Sequence, residues 1–391
     1  MFRRAFDISP REFSWLVSSY QLSAAISGFA AAFFLDRFGR KSALLILYMG
    51  FLLGTLGCAL APNFPFLIAA RVIAGAFGGV LAGLVFSIVG DQIPESRRGE
   101  ATGTVMAAFS VASVVGVPLG IIVAQFWEWH APFFVIVGVG SLVWLAAASW
   151  LPTMRDHLSG QSVEFSMRTQ VNEISYVLNS KNRWTAFGLI MSLMFGGFML
   201  IPFIAIYMVQ NVGILESQLP LIYLIGGLFT FFTSRWIGRL SDKYGKRKIF
   251  NVVALSSIAP ILLLTHLPPL PLVWALSAST FFMILFSGRF VPAMSMVTSS
   301  VDPRHRGGFM SLNSCLQQAS AGLGSLVAGY LVTQSISDPM SPLEGFGIAG
   351  WISVAFTLIA VLLVQHLRYG TQVAGATRVP SSTAADLPHA S

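Results

Sequence analysis

The sequence is poor in charge. Only 10% of its 391 residues are Asp, Glu, Lys or Arg, against roughly 25% in soluble globular proteins. Hydrophobic residues make up 55%, the mean hydropathy is +0.73, and there are 36 Gly and 32 Phe. This balance argues against a water-soluble domain and predicts a polytopic membrane protein, with the lipid bilayer as its surroundings.

Residues for most kinds of catalytic chemistry are also missing. Cys58 and Cys315 are the only cysteines, lie in apolar segments and lack the spacing of metal ligands, which argues against a disulfide framework or a zinc site. The sequence has no Walker-type phosphate loop and no nucleophile elbow, so ATP-driven transport by this chain has no support. We expect no enzymatic activity, no metal and no cofactor.

Apolar segments long enough to cross a bilayer recur along the chain, since about 20 helical residues span its core. Five precede a polar stretch, at 13–35, 42–60, 64–90, 101–126 and 131–151. Six follow it, at 184–210, 218–238, 249–267, 271–300, 308–334 and 345–367. We predict an all-α protein with an N-terminal helical bundle (1–151), a linker (152–183), a C-terminal helical bundle (184–367) and a disordered tail (368–391).

Basic residues sort between the two sides of the membrane. Most of the 24 Lys and Arg residues lie in alternate loops, at 36–41, 94–100, 152–183, 239–248 and 301–306. The loops that alternate with these hold none. The positive-inside rule then makes the basic loops and the C-terminus cytoplasmic, in the inner (plasma) membrane. The net charge of +8 therefore reflects the membrane topology, and we expect no binding of nucleic acid.

One motif occurs twice. Residues 36–41 read Asp-Arg-Phe-Gly-Arg-Lys and residues 242–247 read Asp-Lys-Tyr-Gly-Lys-Arg, so all six positions match in chemical type at an offset of 206. The same offset carries Gly116 onto Gly322. The chain is a duplication, and because both copies of the motif lie on one side, the repeats run parallel.

These residues resemble the major facilitator superfamily along essentially the whole chain. Its motif G-x-x-x-D-R-x-G-R-[RK] is matched by Ala32, Asp36, Arg37, Gly39, Arg40 and Lys41, with Ala in place of the leading Gly. The second copy has Gly238, Asp242, Gly245, Lys246 and Arg247. A fourth-helix pattern is matched by Arg71, Gly75, Gly78 and Gly79, and the Gly-Pro-Gly segment of exporters by Gly116, Pro118 and Gly120.

The resemblance is greatest to the drug and sugar exporter branch of proton antiporters, including arabinose-efflux-like permeases. It implies the major facilitator fold of two parallel-repeat bundles and a monomeric secondary transporter that moves a small molecule by alternating access, with the proton gradient as energy source. Two alternatives stay open. One is an importer of a small organic anion, and the other is a membrane receptor or fragment that does not transport.

The duplicated motif predicts a latch between the bundles. Asp36 and Asp242 follow helix ends, where a carboxylate can accept hydrogen bonds from the N-terminus of a facing helix. We expect the basic residues of the motif to pair with acids such as Asp91, and Gly39 and Gly245 to permit a tight turn. The alternative is that these charges only set topology.

Apart from Arg235, at the cytoplasmic end of its helix, Arg71 and Arg289 are the only cations inside predicted spans, where a charge is expensive unless it faces a partner or a water-filled cavity. The resemblance makes Arg71 a residue for substrate binding or proton coupling. Arg289, which is followed by Pro292, either shares that role or caps a broken helix.

Other polar residues at membrane depth are candidates to line a substrate cavity, because such residues tend to face the protein interior. They are Tyr20, Gln21, Tyr207, Gln210, Tyr223, Asn313, Gln317 and Gln318. Hydrogen bonding between helices without substrate is the alternative. Small residues and a proline are candidates for a hinge or seal between helices, with plain packing as the alternative: Gly75, Gly116, Pro118, Gly120 and Gly322.

The repeat also predicts a missing helix. The second copy of the repeat begins near Thr185, well before Asp242. A first copy that began equally far before Asp36 would start roughly one helix length, about 20 residues, upstream of Met1. We therefore expect eleven spans, with the first of the family's usual twelve absent. All 16 acids lie in loops, tails or at helix ends, and Asp91 is the nearest candidate to carry a proton.

Overall fold

The structure is a computed structural model. It describes residues 6–31, 35, 38–94, 97, 101, 104–105, 108, 112–154, 179–301, 305–334 and 341–369. Within these ranges the secondary structure is helical apart from one bridged residue pair, Thr333 and Glu344. The predicted all-α fold class is confirmed.

The described part of the first half contains five α-helices. They are α1 (Pro10–Ala31), α2 (Arg40–Ala59), α3 (Phe64–Gln92), α4 (Val117–Trp127) and α5 (Ala131–Trp150), and a π-helical turn at Ala112–Gly116 precedes α4. Local sequence sets the helix starts. The Glu12 carboxylate accepts a 2.8 Å hydrogen bond from the Ser9 backbone, and the Glu12 backbone donates to Ser9 Oγ at 3.2 Å, which is a capping box.

Nine α-helices lie within the described residues of the second half. They are α6 (Lys181–Phe198), α7 (Ile201–Gln210), α8 (Leu219–Tyr244), α9 (Lys246–Ser256), α10 (Ile258–Thr265), α11 (Leu272–Gly288), α12 (Phe290–Thr298), α13 (Arg306–Leu331) and α14 (Phe346–His366). The pairs α6–α7, α9–α10 and α11–α12 are each one span with a break.

A proline explains each break. Pro202, Pro260 and Pro292 lie two or three residues after the interruption. Proline cannot donate the backbone hydrogen bond and its ring crowds the preceding turn, so it breaks or kinks a helix. Counted as spans, the described helices number five and then six, in agreement with the sequence.

Eight of the described segments are long and apolar enough to cross a membrane. Three spans fall outside this set: α4 is short in the described part, and α1 and α13 are the Ser- and Gln-rich helices. Successive spans run in opposite directions. The α1–α2 and α8–α9 connections therefore share one side, called the basic side below, and the α2–α3 and α4–α5 connections lie on the opposite side.

The two halves differ in how deeply their helices are buried. Two clusters of fully buried side chains fill the second bundle, where α14 packs on α6 and α10. The first bundle has a smaller core. Its last helix, α5, buries only Gly140, whereas α14 buries eight residues. Residues 155–178 of the predicted linker and 370–391 of the predicted tail lie outside the described residues.

Candidate functional site

The two bundles meet where α1 packs antiparallel against α13. A Cβ added at Gly329 would overlap Ser14. A Cβ added at Gly322, seven residues earlier, would lie 2.9 Å from the Leu22 side chain. Small residues therefore let the two backbones approach, as they do between other closely packed membrane helices. We call this contact the α1–α13 seam.

The seam continues to the basic side at the same seven-residue spacing, which is two helical turns. There a Cβ added at Gly28 would lie 3.0 Å from Sγ of Cys315. At its centre, the Gln21 Cβ would lie 3.3 Å from a Cβ added at Gly322. The predicted seal residue Gly322 and the predicted cavity residue Gln21 thus lie side by side between the bundles.

A clasp of two side chains lies at the opposite-side end of the seam. Arg11 Nη2 donates a 3.0 Å hydrogen bond to Tyr330 Oη, and its guanidinium carbon lies 4.2 Å from the centroid of the Tyr330 ring. Both side chains are exposed. Arg11 is on the first turn of α1 and Tyr330 on the last turn of α13, so this pair joins the bundles directly. We call it the Arg11–Tyr330 clasp.

Two further contacts join the bundles on the same side. Gln125 Nε2 of α4 donates to the Glu216 carbonyl, just before α8, at 2.5 Å. The Phe13 and Phe203 rings, from α1 and α7, meet edge to face with centroids 5.8 Å apart. The packing of α4 on α8 and of α1 on α13 adds to these contacts between the bundles.

Arg71 lies inside the first bundle and points from α3 to α1. Its Nε donates to the Leu16 carbonyl at 3.3 Å, and its guanidinium lies 4.9 Å from the centroid of the Tyr20 ring. These partners are a carbonyl and a ring rather than a carboxylate. The guanidinium keeps further N–H donors, so it can bind an acceptor that enters beside Tyr20.

The glycines that follow Arg71 hold α3 against α1. A Cβ added at Gly75 would overlap the Tyr20 backbone, and one added at Gly79 would lie 2.5 Å from the Cα of Ala24. Backbone atoms cannot move aside as a flexible side chain can. This pattern therefore fixes the distance between α3 and α1 and, with it, the place of Arg71, and it gives Gly75 a packing contact.

Arg289 lies in the core of the second bundle, 2% exposed. Its Nη1 donates to Thr357 Oγ1 at 2.6 Å and to Ser257 Oγ at 3.4 Å, and its guanidinium stacks 4.1 Å from the Phe286 ring. It occupies the break between α11 and α12, where the C-terminal carbonyls of α11 favour a cation. The contacts of its guanidinium are thus with Thr357, Ser257 and Phe286 inside the second bundle, and the capping role stays a prediction.

One basic residue of each motif copy caps the last helix of its own bundle. Lys41 Nζ donates to the Leu151 carbonyl at 2.6 Å, and Arg247 Nη2 donates to the Leu367 carbonyl at 2.8 Å. Leu151 and Leu367 end α5 and α14, whose free carbonyls attract cations. The Arg40 backbone donates to the Met154 carbonyl at 3.1 Å.

The two motif glycines differ. Gly245, between α8 and α9, has φ +97°, a conformation that favours glycine. Gly39 has φ −58° and ψ 132°, which any residue adopts, so the predicted need for glycine at this turn is wrong for Gly39. The sequence pattern is symmetric, but in the first copy the helix simply restarts after an extended residue.

The latch itself is only partly within the described residues. Asp242 is exposed on the last turn of α8, and Lys246 Nζ lies 3.4 Å from Ser299 Oγ. A Cβ added at Gly238 would make an ordinary 3.7 Å contact with Val291. Asp36, Arg37 and the side chain of Asp91 lie outside the described part of the chain, so the predicted latch stays a prediction.

Three of the predicted cavity residues lie in the second bundle away from the seam. The Tyr207 hydroxyl donates to the Leu267 carbonyl at 3.1 Å, and its ring packs on Phe346. Gln210 Oε1 accepts from Gln334 at 3.2 Å, at the end of α7 on the opposite side. Tyr223 is half-buried on α8. In this conformation Tyr207 and Gln210 tie loops to helices.

Asn313 and Gln317 lie on α13, one turn apart. Asn313 is 1% exposed, and neither amide atom has a hydrogen-bond partner among the described residues. Such a group is costly to bury unpaired. Gln317 and Gln318 are half-buried. Asn313 thus offers an unused donor and acceptor on the helix that forms half of the seam.

The predicted hinge in the exporter-like segment has a bend, and the segment packs on α8. The π-helical turn ends at Gly116, and Pro118, which is buried, lies at the start of α4. A Cβ added at Gly116 or Gly120 would meet no heavy atom within 4 Å. Within the described residues these two glycines themselves are open, although α8 packs on the same segment, so the hinge stays a prediction.

The Arg11–Tyr330 clasp is the main feature that the sequence did not predict. Arg11, like Arg3 and Arg4, precedes the first predicted span and so lies on the side whose connecting loops hold no Lys or Arg. This unusual position was the signal in the sequence that Arg11 makes a specific contact, because basic residues are otherwise disfavoured on that side. Among the described residues, no group of three His, Cys, Asp or Glu side chains could hold a metal ion.

Known proteins resemble this chain along most of its length. YceJ, an uncharacterised MFS-type transporter of Bacillus subtilis strain 168, is 25% identical over 367 residues, which cover 91% of this chain and 87% of YceJ. Multidrug resistance protein 3 of the same organism is 25% identical over 399 residues, 87% of this chain and 77% of that protein. The second match agrees with the resemblance to the exporter branch.

The fold has the same likeness. A crystal structure of a D-xylose–proton symporter superposes with a TM-score of 0.72 at 17% identity, covering 92% of this chain and 88% of the symporter. The sequence profile of the Major Facilitator Superfamily matches residues 1–285 and again 187–385. Since these matches cover nearly the whole chain, the protein is a multi-pass membrane transporter that belongs to the Major Facilitator Superfamily.

Proposed function

We propose that this transporter exports a small molecule in exchange for protons, with its basic side and its C-terminus in the cytoplasm and the plasma membrane as its location. The observation that carries the proposal is the Arg11–Tyr330 clasp, which closes the opposite side with two exposed side chains. The excess of Lys and Arg on the basic side supports the orientation. The relative named Multidrug resistance protein 3 supports export.

The energetics favour alternating access. An exposed cation–π contact contributes about 0.5–1 kcal/mol, and a typical hydrogen bond a net 0.5–1.5 kcal/mol or so. Opening the opposite side at Arg11 and Gln125 therefore costs a few kcal/mol. The second bundle is held by large clusters of buried side chains, so the bundles separate before they unfold.

We place substrate binding beside the seam, where the first bundle presents polar groups. Tyr20 and Gln21 are adjacent on α1, and Arg71 reaches Tyr20 from α3. Asn313 on α13 adds the unpaired amide. With the proton gradient as the energy source, Asp91 is the proposed proton carrier, because it ends the helix that bears Arg71. The proposed functional unit is a monomer.

An importer of a small organic anion is the second candidate, and Arg71 favours it. Among the described residues, its guanidinium is engaged by one carbonyl and one ring, so further N–H donors are available to an anion. A carboxylate would pair with it well, because charge-assisted hydrogen bonds are stronger than neutral ones.

The test is transport by the purified chain in proteoliposomes with a pH gradient. Three radiolabelled or fluorescent probes separate the candidates: ethidium as a lipophilic cation, arabinose as a neutral sugar and benzoate as an anion. Export predicts movement of ethidium or arabinose away from the basic side when the opposite compartment is acidic, and loss of this movement when a protonophore collapses the gradient. Arg71→Ala is the matched variant.

Each remaining result decides between the candidates. Benzoate accumulation toward the basic side, abolished in Arg71→Ala, would establish the importer and reject export. Binding of a probe without counterflow would indicate a receptor and contradict transport of that probe. Movement that ignores the pH gradient would reject proton coupling and leave a uniporter.

A further inference from the structure

The exposed face of α8 is apolar over most of its length. The helix packs through another face, where Ile237 Cδ1 would lie 2.5 Å from a Cβ added at Gly288 of α11. An uncovered apolar face on a membrane-spanning helix meets lipid, so this face lies against the acyl chains of the bilayer. Its large apolar residues, three or four positions apart and 41% to 60% exposed, are Leu221, Leu224, Leu228 and Phe232.

The same face ends in three exposed cations. Arg235, Arg239 and Lys243 continue the line at four-residue spacing, so each step rises about 6 Å along the helix toward the basic side. Trp236, next to Arg235, is 63% exposed, and tryptophan in membrane proteins prefers the level of the lipid headgroups. The three cations therefore begin at the headgroup level of the leaflet on the basic side.

No acid pairs with these cations among the described residues. The Arg235 guanidinium carbon lies 4.2 Å from the centroid of the Phe231 ring, and Lys243 Nζ lies 5.2 Å from that of the Tyr244 ring. Within the same part of the chain, Arg239 has neither a hydrogen bond nor an ion pair. Like charges four residues apart on a helix repel each other. An anion bound between them would turn this repulsion into attraction.

The first copy of the repeat lacks the two arginines. At the offset of 206 residues, Arg235 and Arg239 correspond to Phe29 and Phe33, although the motif that follows is basic in both copies. The basic motif alone therefore meets the positive-inside rule, and the arginines have a different role on α8. Arginine presents a planar fork of donors that fits phosphate.

We propose that Arg235 and Arg239 bind the phosphate of an anionic phospholipid in the leaflet on the basic side. Guanidinium groups one helical turn apart can each donate charge-assisted hydrogen bonds to phosphate oxygens, and Lys243 adds a positive charge nearby. The acyl chains of the same lipid lie along the apolar face that ends at Phe232. This site, called the α8 lipid site, is independent of the transported substrate and of the direction of transport.

The test is lipid binding by the purified full chain in detergent, measured by native mass spectrometry. Phosphatidylglycerol is the anionic probe and phosphatidylcholine the zwitterionic one. Each basic residue near an anionic lipid strengthens binding about fivefold, so the double variant Arg235→Gln and Arg239→Gln should bind the first phosphatidylglycerol about 25-fold more weakly. Its binding of phosphatidylcholine should not change.

A second double variant is the matched control. Lys181 and Lys248 are exposed cations at the same end of the second bundle, so Lys181→Gln with Lys248→Gln removes the same charge from other positions. Binding of phosphatidylglycerol should weaken less than about twofold in this control, because distant charges are screened. Selective loss of phosphatidylglycerol in the arginine variant, at an unchanged melting temperature without lipid, supports the proposal.

Four results would overturn it. Equal weakening in the two double variants would show a general attraction between charges, and equal binding of both lipids by the unaltered protein would show no selection for an anion. Inorganic phosphate that displaces the lipid, at an ionic strength where chloride does not, would assign the arginines to a soluble anion. A lower melting temperature of the arginine variant before lipid is added would assign them to packing.

Discussion

Removing the Arg11–Tyr330 clasp should open the opposite side in a graded way. Tyr330→Phe deletes the 3.0 Å hydrogen bond and keeps the ring under the guanidinium, whereas Tyr330→Leu deletes both. An exposed hydrogen bond and an exposed cation–π contact contribute about 0.7 kcal/mol each. Since 1.4 kcal/mol corresponds to a factor of ten, the open population should rise about threefold in Tyr330→Phe and about tenfold in Tyr330→Leu.

The assay uses a cysteine that only an open seam exposes. Ser18 is fully buried on α1, so Ser18→Cys, in a background with Cys58 and Cys315 changed to Ser, reports opening. The rate of reaction with a membrane-impermeant maleimide, added on the opposite side, is proportional to the open population when closing is faster than labelling. Tyr244→Leu, an exposed tyrosine on the basic side, is the control.

The reasoning is refuted if the cysteine at position 18 is labelled no faster in Tyr330→Leu than in Tyr330→Phe and in the control. An equal increase in both variants would show that the hydrogen bond carries the contact and that the ring adds nothing. A general increase that includes Tyr244→Leu would indicate loosened folding, which a parallel melting curve would detect.

Four other changes separate the packing residues from those of transport. Gly75→Leu should cost about 3 kcal/mol or more, because its side chain meets the Tyr20 backbone, and should reduce the yield of folded protein, whereas Gly83→Leu, which meets nothing within 4 Å, should not. Arg71→Lys should slow transport about tenfold at an unchanged Tm, because an ammonium does not replace a planar donor fork; full activity would make Arg71 a structural residue. Arg289→Lys should show the reverse pattern, with a lower Tm and unchanged transport per folded molecule. Asp242→Asn should slow transport about two- to fivefold with normal insertion if its carboxylate binds a helix N-terminus, and an unchanged initial rate would reject the latch.

The spans could be predicted because each is decided by local composition. The apolar segments 42–60, 64–90 and 345–367 match α2, α3 and α14 within two residues at each end. The breaks within spans were harder. A proline inside an apolar segment marks a kink, but whether the helix actually stops depends on neighbours such as Thr357, which binds Arg289 at the break.

The site was less predictable because its contacts join distant parts of the chain. Arg11 and Tyr330 are 319 residues apart, and no local pattern reports how two bundles meet. Lys41 was expected to pair with an acid, but it binds the carbonyl at the end of α5. A helix end offers free carbonyls without appearing in the sequence as a charge, so a motif of basic residues does not reveal this partner.

The spacing of the α1–α13 seam fixes where the bundles return after each opening. Its close contacts recur every seven residues, at Gly329, Gly322 and Cys315, and the next equivalent register is about 10 Å away along the helix. If the two helices slide by less than this distance while the bundles rock, they cannot close again in a register shifted by seven residues. Each closure therefore restores the same pairing of residues between α1 and α13, and with it the same geometry around Gln21.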